Sequence, residues 1–224
     1  IHMDKAIHDE RMPKGGSSIF YEGSMVVSNI DGSEAGALGL AGSRGSINRV
    51  GDADRGLGET RWSSIFEVSP ELFPPTNRYL PPTPTNSIEA FFKVGPTLMG
   101  LSRDRVYYLL KDGLFFRMQE AHQGYGIVNP KAGDSIGPLA YYVTTRGVKA
   151  IHPNSRIDDV DGLNKLIVED WRDNHDVLQV AYDPTQLALY IHNPTLEQTA
   201  VMWFNTGKIT EIHDTSFDHC SRGV

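Results

Sequence analysis

Apolar positions in this chain come in short runs closed by glycine, proline or aspartate, a pattern of strands and tight turns rather than of long helices. Between Ser87 and Met118 four such runs appear: Ile88–Val94, Thr97–Leu101, Arg105–Leu110 and Leu114–Met118. They are separated by Gly95-Pro96, Ser102-Arg103-Asp104 and Lys111-Asp112-Gly113, and Asp-Gly is a strong hairpin signal because both residues tolerate positive φ. Val177–His213 repeats the arrangement with runs Val177–Tyr182, Leu187–His192, Ala200–Phe204 and Lys208–His213. Its turns fall at Asp183-Pro184-Thr185, around Asn193-Pro194 and at Asn205-Thr206-Gly207. Between these two sets, Leu139–Thr144 and Val148–His152 flank Arg146-Gly147 as a further hairpin. Helical spacing occurs once, over Val160–Trp171, where Val160, Leu163, Ile167 and Trp171 recur near a period of 3.6; one helical turn inside a loop would give the same pattern.

Three hairpins echo one another: Val106–Leu110 ahead of Asp112-Gly113, Ala140–Val143 ahead of Arg146-Gly147, and Ala200–Phe204 ahead of Thr206-Gly207. Imperfect repeats of one up-and-down sheet are the sequence mark of propeller blades, none of which buries both its faces alone. The expected fold is all-β, a β-propeller-like stack of antiparallel four-stranded meanders, either incomplete or a fragment.

The amino-terminal part is different. Residues 1–45 form a Gly-rich, partly irregular segment with one short hairpin, Ile19–Val27 around Glu22-Gly23, and glycines at 36, 39, 42 and 45 inside a small-residue tract. Residues 46–224 make up the propeller-like domain. Within it, 70–86 reads as an extended connector, because Pro74, Pro75, Pro81, Pro82 and Pro84 lack the N–H that a helix or a central strand needs. Ile1-His2-Met3 ahead of Asp4 reads as a remnant before the start or as a fragment boundary. The polar residues that follow predict no signal peptide.

Composition narrows the function. The 224 residues are 39% hydrophobic and 22% charged, enough for a packed core and too ordered for a disordered chain. No apolar run is long enough to predict a membrane-spanning helix. Cys220 is the only cysteine, which excludes an intrachain disulfide and a cysteine-cluster metal site. A net charge of −7 argues against a surface built to grip phosphates, since that grip comes from Lys and Arg releasing counterions.

Candidate chemistry is sparse. The tract from Gly36 to Gly45 has no phosphate-loop spacing and no following lysine. Asp52-Ala53-Asp54 and Asp158-Asp159-Val160-Asp161-Gly162 are carboxylate groups of the kind that hold calcium, but both lack the complete loop spacing and read first as solvated turns. Histidine follows isoleucine at His8, His152, His192 and His213. If the last three close equivalent strands of neighbouring blades they converge on a metal; otherwise each alternates outward from an inward isoleucine. His213, His219 and Cys220 are a weak match to a zinc site. Ser63, Ser64 and His122 carry no local signature of nucleophilic catalysis. Trp62, Trp171, Trp203, Tyr107, Tyr108, Tyr141 and Tyr142 read as blade core before they read as a sugar platform. No catalytic, cofactor-binding or metal-ligating residue is therefore expected, and no enzyme.

Four stretches carry a family likeness: INRVGDADRG (47–56), IEAFFKVGPTLMGLSRDRVYYLLKDG (88–113), GYGIVNPKAGDSIGPLAYYVTTRGVKAI (124–151) and VLQVAYDPTQLALYIHNPTLEQTAVMWFNTGKITEIHDTSF (177–217). Together they resemble the β-propeller region of tail nozzle proteins of short-tailed bacteriophages, also called tail tubular or packaged-DNA stabilisation proteins, which are several times longer. The last of the four resembles a complete blade. The resemblance implies a structural virion protein in the phage tail, assembled in the host bacterial cytoplasm. It further implies a homo-oligomeric ring in the head–tail connector complex, with tail adaptor and fibre proteins as partners. DNA would be retained and then ejected through an acidic lumen that does not bind it specifically. Two other readings stay open: a carbohydrate-binding or glycan-hydrolysing β-propeller, in which paired acids would do the chemistry, and a protein-interaction propeller of a bacterial cell.

Overall fold

The computed structural model describes residues 15–30, 59–62, 78–79, 87–112 and 115–212. Its sixteen strands form four antiparallel sheets of four, each a meander in which successive strands pair. The chain is all-β and built of blade-like meanders, as the spacing of its turns predicts. The first meander joins β1 (Gly15–Tyr21), β2 (Ser24–Ile30), β3 (Glu59–Trp62) and β4 (Arg78–Tyr79). The second holds β5 (Ala90–Val94), β6 (Thr97–Leu101), β7 (Arg105–Asp112) and β8 (Phe115–Gln123). The third holds β9 (Gly133–Ile136), β10 (Leu139–Thr144), β11 (Gly147–Ile151) and β12 (Ile157–Asp159). The fourth holds β13 (Gln179–Asp183), β14 (Ala188–Asn193), β15 (Gln198–Trp203) and β16 (Lys208–Ile212).

Two compact units result, Ile1–Phe91 with Leu98–Gly124, and Phe92–Thr97 with Tyr125–Val224. In the first unit the facing sides of the first and second meanders bury Tyr21, Val26, Ile88, Phe91, Leu98, Tyr107, Leu109 and Phe116, with Ile19, Tyr79 and Met118 packed against them. The Ser28 hydroxyl donates to the Ile88 carbonyl at 2.9 Å and ties the two sheets at their edge. Residues of the stretch 70–86 take part here, since Arg78–Tyr79 pairs with Thr60 and Arg61 as a short edge strand. The hairpin around Glu22-Gly23 is present, both residues having positive φ, 50° and 82°, as a type I′ turn requires.

In the second unit the central strands lose the half-buried alternation of an open sheet. Every residue of β11 is buried, because both its faces are covered. Asp134 on β9 accepts from the Tyr182 amide on β13 at 2.9 Å, and the Val180 amide donates to the Lys131 carbonyl at 2.8 Å. These bonds link the third meander to the fourth. The segment Val160–Trp171 contains a π-helical turn, Leu166–Asp170, followed by a 3-10 helix, Arg172–Val177.

Several expectations need correction. Lys111 and Asp112 belong to β7, where Asp112 pairs with Phe115, so both lie in the strand rather than in a turn. β8 runs to Gln123, beyond Met118, because β7 supplies partners along its whole length through a bulge at Val106/Tyr107. Leu187 does not open a strand. It is the fourth residue of a turn, with φ of 52° and an exposed side chain. The echoing hairpins are also not equivalent, for β10 is the second strand of its sheet whereas β7 and β15 are third strands.

Candidate functional site

Polar groups gather at one corner of the first unit. The bulge after Val106 and the tight Ser102–Arg105 turn bring Arg105 to the start of β7; Ser102 Oγ accepts from the Arg105 amide at 2.8 Å. Arg105 and Tyr107, two residues apart on one strand, share a face. Glu120 on β8 lies directly opposite Tyr107, and its carboxylate accepts a charge-assisted bond from Arg105 Nη1. From the first meander, Tyr79 reaches the same place, its ring centroid 6.0 Å from that of Tyr107 and the rings tilted by 58°. Thr60 pairs with Tyr79 across β3 and β4, so the two side chains share a face.

The electrostatics of this corner follow from its burial. Desolvation pushes both phenols above their usual range, Tyr79 and, more strongly, Tyr107. The two hydroxyls lie close enough to hydrogen-bond each other and to influence each other's ionisation. Thr60 Oγ1 and Arg105 Nε, both shut off from solvent, lack a hydrogen-bond partner among the described residues. Asp104 Oδ2 is 3.9 Å from Arg105 Nε, too far to accept its proton. A buried polar atom without a partner calls for a physical account. Sequence reading missed this corner, since Thr60 and Tyr79 sit in strands of four and two residues with no alternation to reveal them.

The candidates read from the sequence are distributed differently. Two of the acids of 158–161 are engaged with cations: Asp158 accepts from Arg156 Nη2 at 2.6 Å and meets His152 Nε2 at 2.9 Å, and Asp159 pairs with Lys149. Lys149, itself buried, also lies 5.9 Å from the Tyr125 ring centroid. The Arg156 bond, and secondarily His152, hold the Asp158 carboxyl below its ordinary value. Among the described residues no group of three or more His, Cys, Asp and Glu side chains is placed to hold a metal ion.

The histidines do not close equivalent strands. His152 follows the third strand of its sheet, His192 lies in the second strand of the next, and Ile212 ends a fourth strand. His192 does not alternate outward either. It is fully buried, with Nδ1 3.0 Å from Thr199 Oγ1. His122 lies on β8 opposite Val106. His8, the tract Gly36–Gly45, Asp52, Asp54, Ser63, Ser64, His213, His219 and Cys220 lie outside the described residues.

Tyr142 and Trp171 are core, as expected, and Trp171 Nε1 donates to Gln198 Oε1 at 2.9 Å. Tyr141 and Tyr182 are half-buried around Phe204, with edge-on centroid separations of 5.3 and 5.8 Å. That packing covers ring faces rather than presenting a flat platform.

The chain matches no family model and no curated protein. Among solved structures it is similar to apo AztD from Citrobacter koseri, with a TM-score of 0.47 and 14% identity over 90% of this chain and 48% of that one. An auxiliary nutrient binding protein from Bacteroides thetaiotaomicron VPI-5482 gives a TM-score of 0.47 and 9% identity over 93% of this chain and 44% of that one. The WD40 domain of Neurospora crassa Pan2 gives 0.36 and 9% over 56% and 38%. The chain spans less than half the length of each of these structures. No function is read from likenesses this distant.

Proposed function

We propose that the chain acts by binding and assembly rather than by catalysis, as a propeller-type structural component of a short-tailed phage tail nozzle. The observation that carries this reading is a coincidence of boundaries. The stretch 177–217, which resembles one complete nozzle blade, contains the four strands β13–β16 and, among the described residues, nothing of another sheet. The stretches 88–113 and 124–151 each span three of the four strands of one sheet, β5–β7 and β9–β11. The net charge of −7 suits a conduit wall past which DNA slides, because like charge gives a phosphate backbone nothing to hold. In this reading the chain assembles in the host cytoplasm, enters a ring with adaptor and fibre proteins as neighbours, and helps to retain packaged DNA. Electron microscopy of the purified protein and light scattering test it together. Rings are expected, and a monodisperse monomer at tens of micromolar, with no ring in the particle of origin, would overturn it.

A second reading, a carbohydrate-recognising propeller, is favoured by the corner formed by Thr60, Tyr79, Arg105, Tyr107 and Glu120. Aromatic rings beside an arginine, a carboxylate and hydroxyl groups are the chemistry by which proteins take up polyols. A glycan array with a parallel reducing-sugar assay tests it: retention of glycans without cleavage supports the reading, and no retention removes it.

A further inference from the structure

We infer that one end of the second unit, where the turns after β9 and β13 lie, is the surface on which a second copy of this chain docks as a two-fold symmetric pair. The inference goes beyond the nozzle reading and does not rest on it. The Val180 amide donates to the Lys131 carbonyl and the Tyr182 amide to Asp134 Oδ2. β9 and β13 therefore run side by side in one direction, and the turns that follow them share an end. The Phe204 amide donates to the Leu187 carbonyl at 2.9 Å, which brings the start of the β15–β16 turn to the same end. Tyr141 and Tyr182 flank Phe204 there. What meets solvent is largely apolar: Pro138 is exposed, Leu187 is 45% exposed, and Leu139, Tyr141, Tyr182 and Phe204 are half-buried. Leu187 is also left-handed, with φ of 52°, so an apolar side chain stands in solvent at a position whose backbone suits glycine.

Charge decides which partner this end admits. Its carboxylates Asp134 and Asp183 accept from backbone amides, those of Ser135 and Tyr182 and those of Thr185 and Gln186. Lys208 opens β16 at the same end, and in the turn after β11 Arg156 is bonded to Asp158. This end is close to neutral. The opposite end is acid. The connection from β12 to β13 lies there, with Asn164 against Gly147 and Trp171 Nε1 donating to Gln198. It exposes Asp161, Glu169, Asp170, Asp173 and Asp176 against Lys165 and Arg172. A two-fold contact sets each residue near the axis against its own copy. In a chain of net charge −7 the acid end repels its copy, and the neutral aromatic end does not. Aromatic and apolar groups with few charges are what the centres of such contacts are made of, whereas a basic partner would be drawn to the other end.

Sedimentation equilibrium of the full chain, from micromolar to millimolar concentration, tests the surface with Leu187→Lys as the variant and Leu196→Lys as its control. Leu196 is exposed to a similar extent, 42%, in a turn at the opposite end of the same sheet. The expected result is a dimer that added salt preserves or strengthens, because salt screens the repulsion between two acidic copies. Leu187→Lys should weaken it at least about tenfold, as loss of a central apolar contact does. Leu196→Lys should leave it unchanged, and both variants should melt near the wild type. Hydrogen exchange on the wild type needs no substitution: dilution should release the amides of 137–139 and 185–187 and not those of 195–197.

A monomer at every concentration overturns the inference. So does a dimer that survives Leu187→Lys, one that Leu196→Lys weakens equally, or one that salt dissolves. A dimer lost in Leu187→Lys, with rings never seen, upholds this surface and counts against the nozzle reading. Rings that persist in Leu187→Lys do the reverse.

Discussion

Leu187 and Gly207 occupy the same position, the fourth residue of a four-residue turn, and both are left-handed, with φ of 52° and 65°. Between them Glu197 repeats the geometry at 52°. The first two turns also share their chemistry. Asp183 Oδ1 accepts from the Thr185 amide at 2.7 Å, and Asn193 Oδ1 from the Thr195 amide at 3.1 Å. The fourth meander is thus three copies of one connection, ten residues apart, of which only the last carries the residue suited to its φ. A left-handed non-glycine residue costs about 1 kcal/mol or somewhat more. Leu187→Gly, which also removes an exposed apolar side chain, should raise stability by roughly 0.5–1 kcal/mol after the entropy of the freer unfolded chain is deducted. Gly207→Leu should lower it by a similar amount. Urea denaturation of the two variants checks the pair, and equal effects of the same sign would contradict the shared geometry.

Gly147 is constrained more tightly. Its φ is 114°, and a Cβ there would overlap the side-chain oxygen of Asn164. Gly137, at φ of 59°, has nothing within 4 Å of such a Cβ. Gly147→Ala adds overpacking to backbone strain and should cost about 2–4 kcal/mol. Gly137→Ala should cost only the backbone part, about 1–2 kcal/mol. Thermal unfolding of both, beside Gly147→Ala combined with Asn164→Ala, measures the overlap directly: the second change should recover part of the loss.

How much of this was legible follows from what each strand buries. β5–β7, β10, β11 and β13–β16 carry runs of large apolar residues between turn residues, and all were found within a few positions. β9 (Gly133–Ile136) and β12 (Ile157–Asp159) were not, because neither carries a run of large apolar residues. Gly133, Asp134 and Ser135 are half-buried and mostly polar, and Asp158-Asp159 reads as a turn. The Thr60–Tyr107 corner was illegible for a different reason. Its parts lie on β3, β4, β7 and β8 and meet only through the pairing of two sheets, which no local pattern encodes. His192 misled because alternation places a residue outside only where one face is wet; both faces of β14 are covered, so Ile191 and His192 are equally buried.

Asn129 holds the approach to β13. Its Nδ2 donates to the carbonyls of His175 and Leu178 at 2.8 and 2.9 Å, and its Oδ1 accepts from the Lys131 amide at 2.8 Å. Both donors and one of the two acceptor sites of this buried amide are used. Asn129→Ala should cost about 2–4 kcal/mol, since it leaves buried carbonyls unmet. Asn129→Asp should cost more, because an oxygen replaces the donor facing two carbonyl oxygens. An Ala variant more damaging than Asp would reverse the argument; chemical denaturation decides between them.

Acid should weaken the turn between β11 and β12. Asp158 is held below its ordinary carboxyl value of 3.8, chiefly by Arg156 and then by His152. A carboxyl depressed in the folded state binds fewer protons there than in the unfolded chain. Its contribution is therefore complete above the unfolded value and is lost as pH falls through the lower, folded one. Asp158→Asn should lower the denaturation midpoint at neutral pH, and the gap to wild type should close below about pH 4, where the unfolded carboxyl protonates. A gap that stays constant down to strongly acid pH would show that the ionised form makes no contribution.

Tyr142 offers the sharpest test of what buried polarity costs in this core. Its side chain is fully buried on β10, and its hydroxyl has no hydrogen bond among the described residues. Burial, more than the neighbouring Tyr125, pushes the phenol well above its usual range. A Cβ at Gly133 would collide with the Tyr142 Cβ and the Phe92 ring, and the whole Tyr142 side chain is buried, so the ring packs while the hydroxyl is only desolvated. Tyr142→Phe keeps the ring and removes the unsatisfied oxygen; stability should hold or rise by up to about 1 kcal/mol. Tyr142→Ala should lose about 3–5 kcal/mol through the cavity it leaves. A clear loss in Tyr142→Phe would mean that the hydroxyl has a partner in solution, and hydrogen exchange at the neighbouring β9 and β11 amides would then locate it.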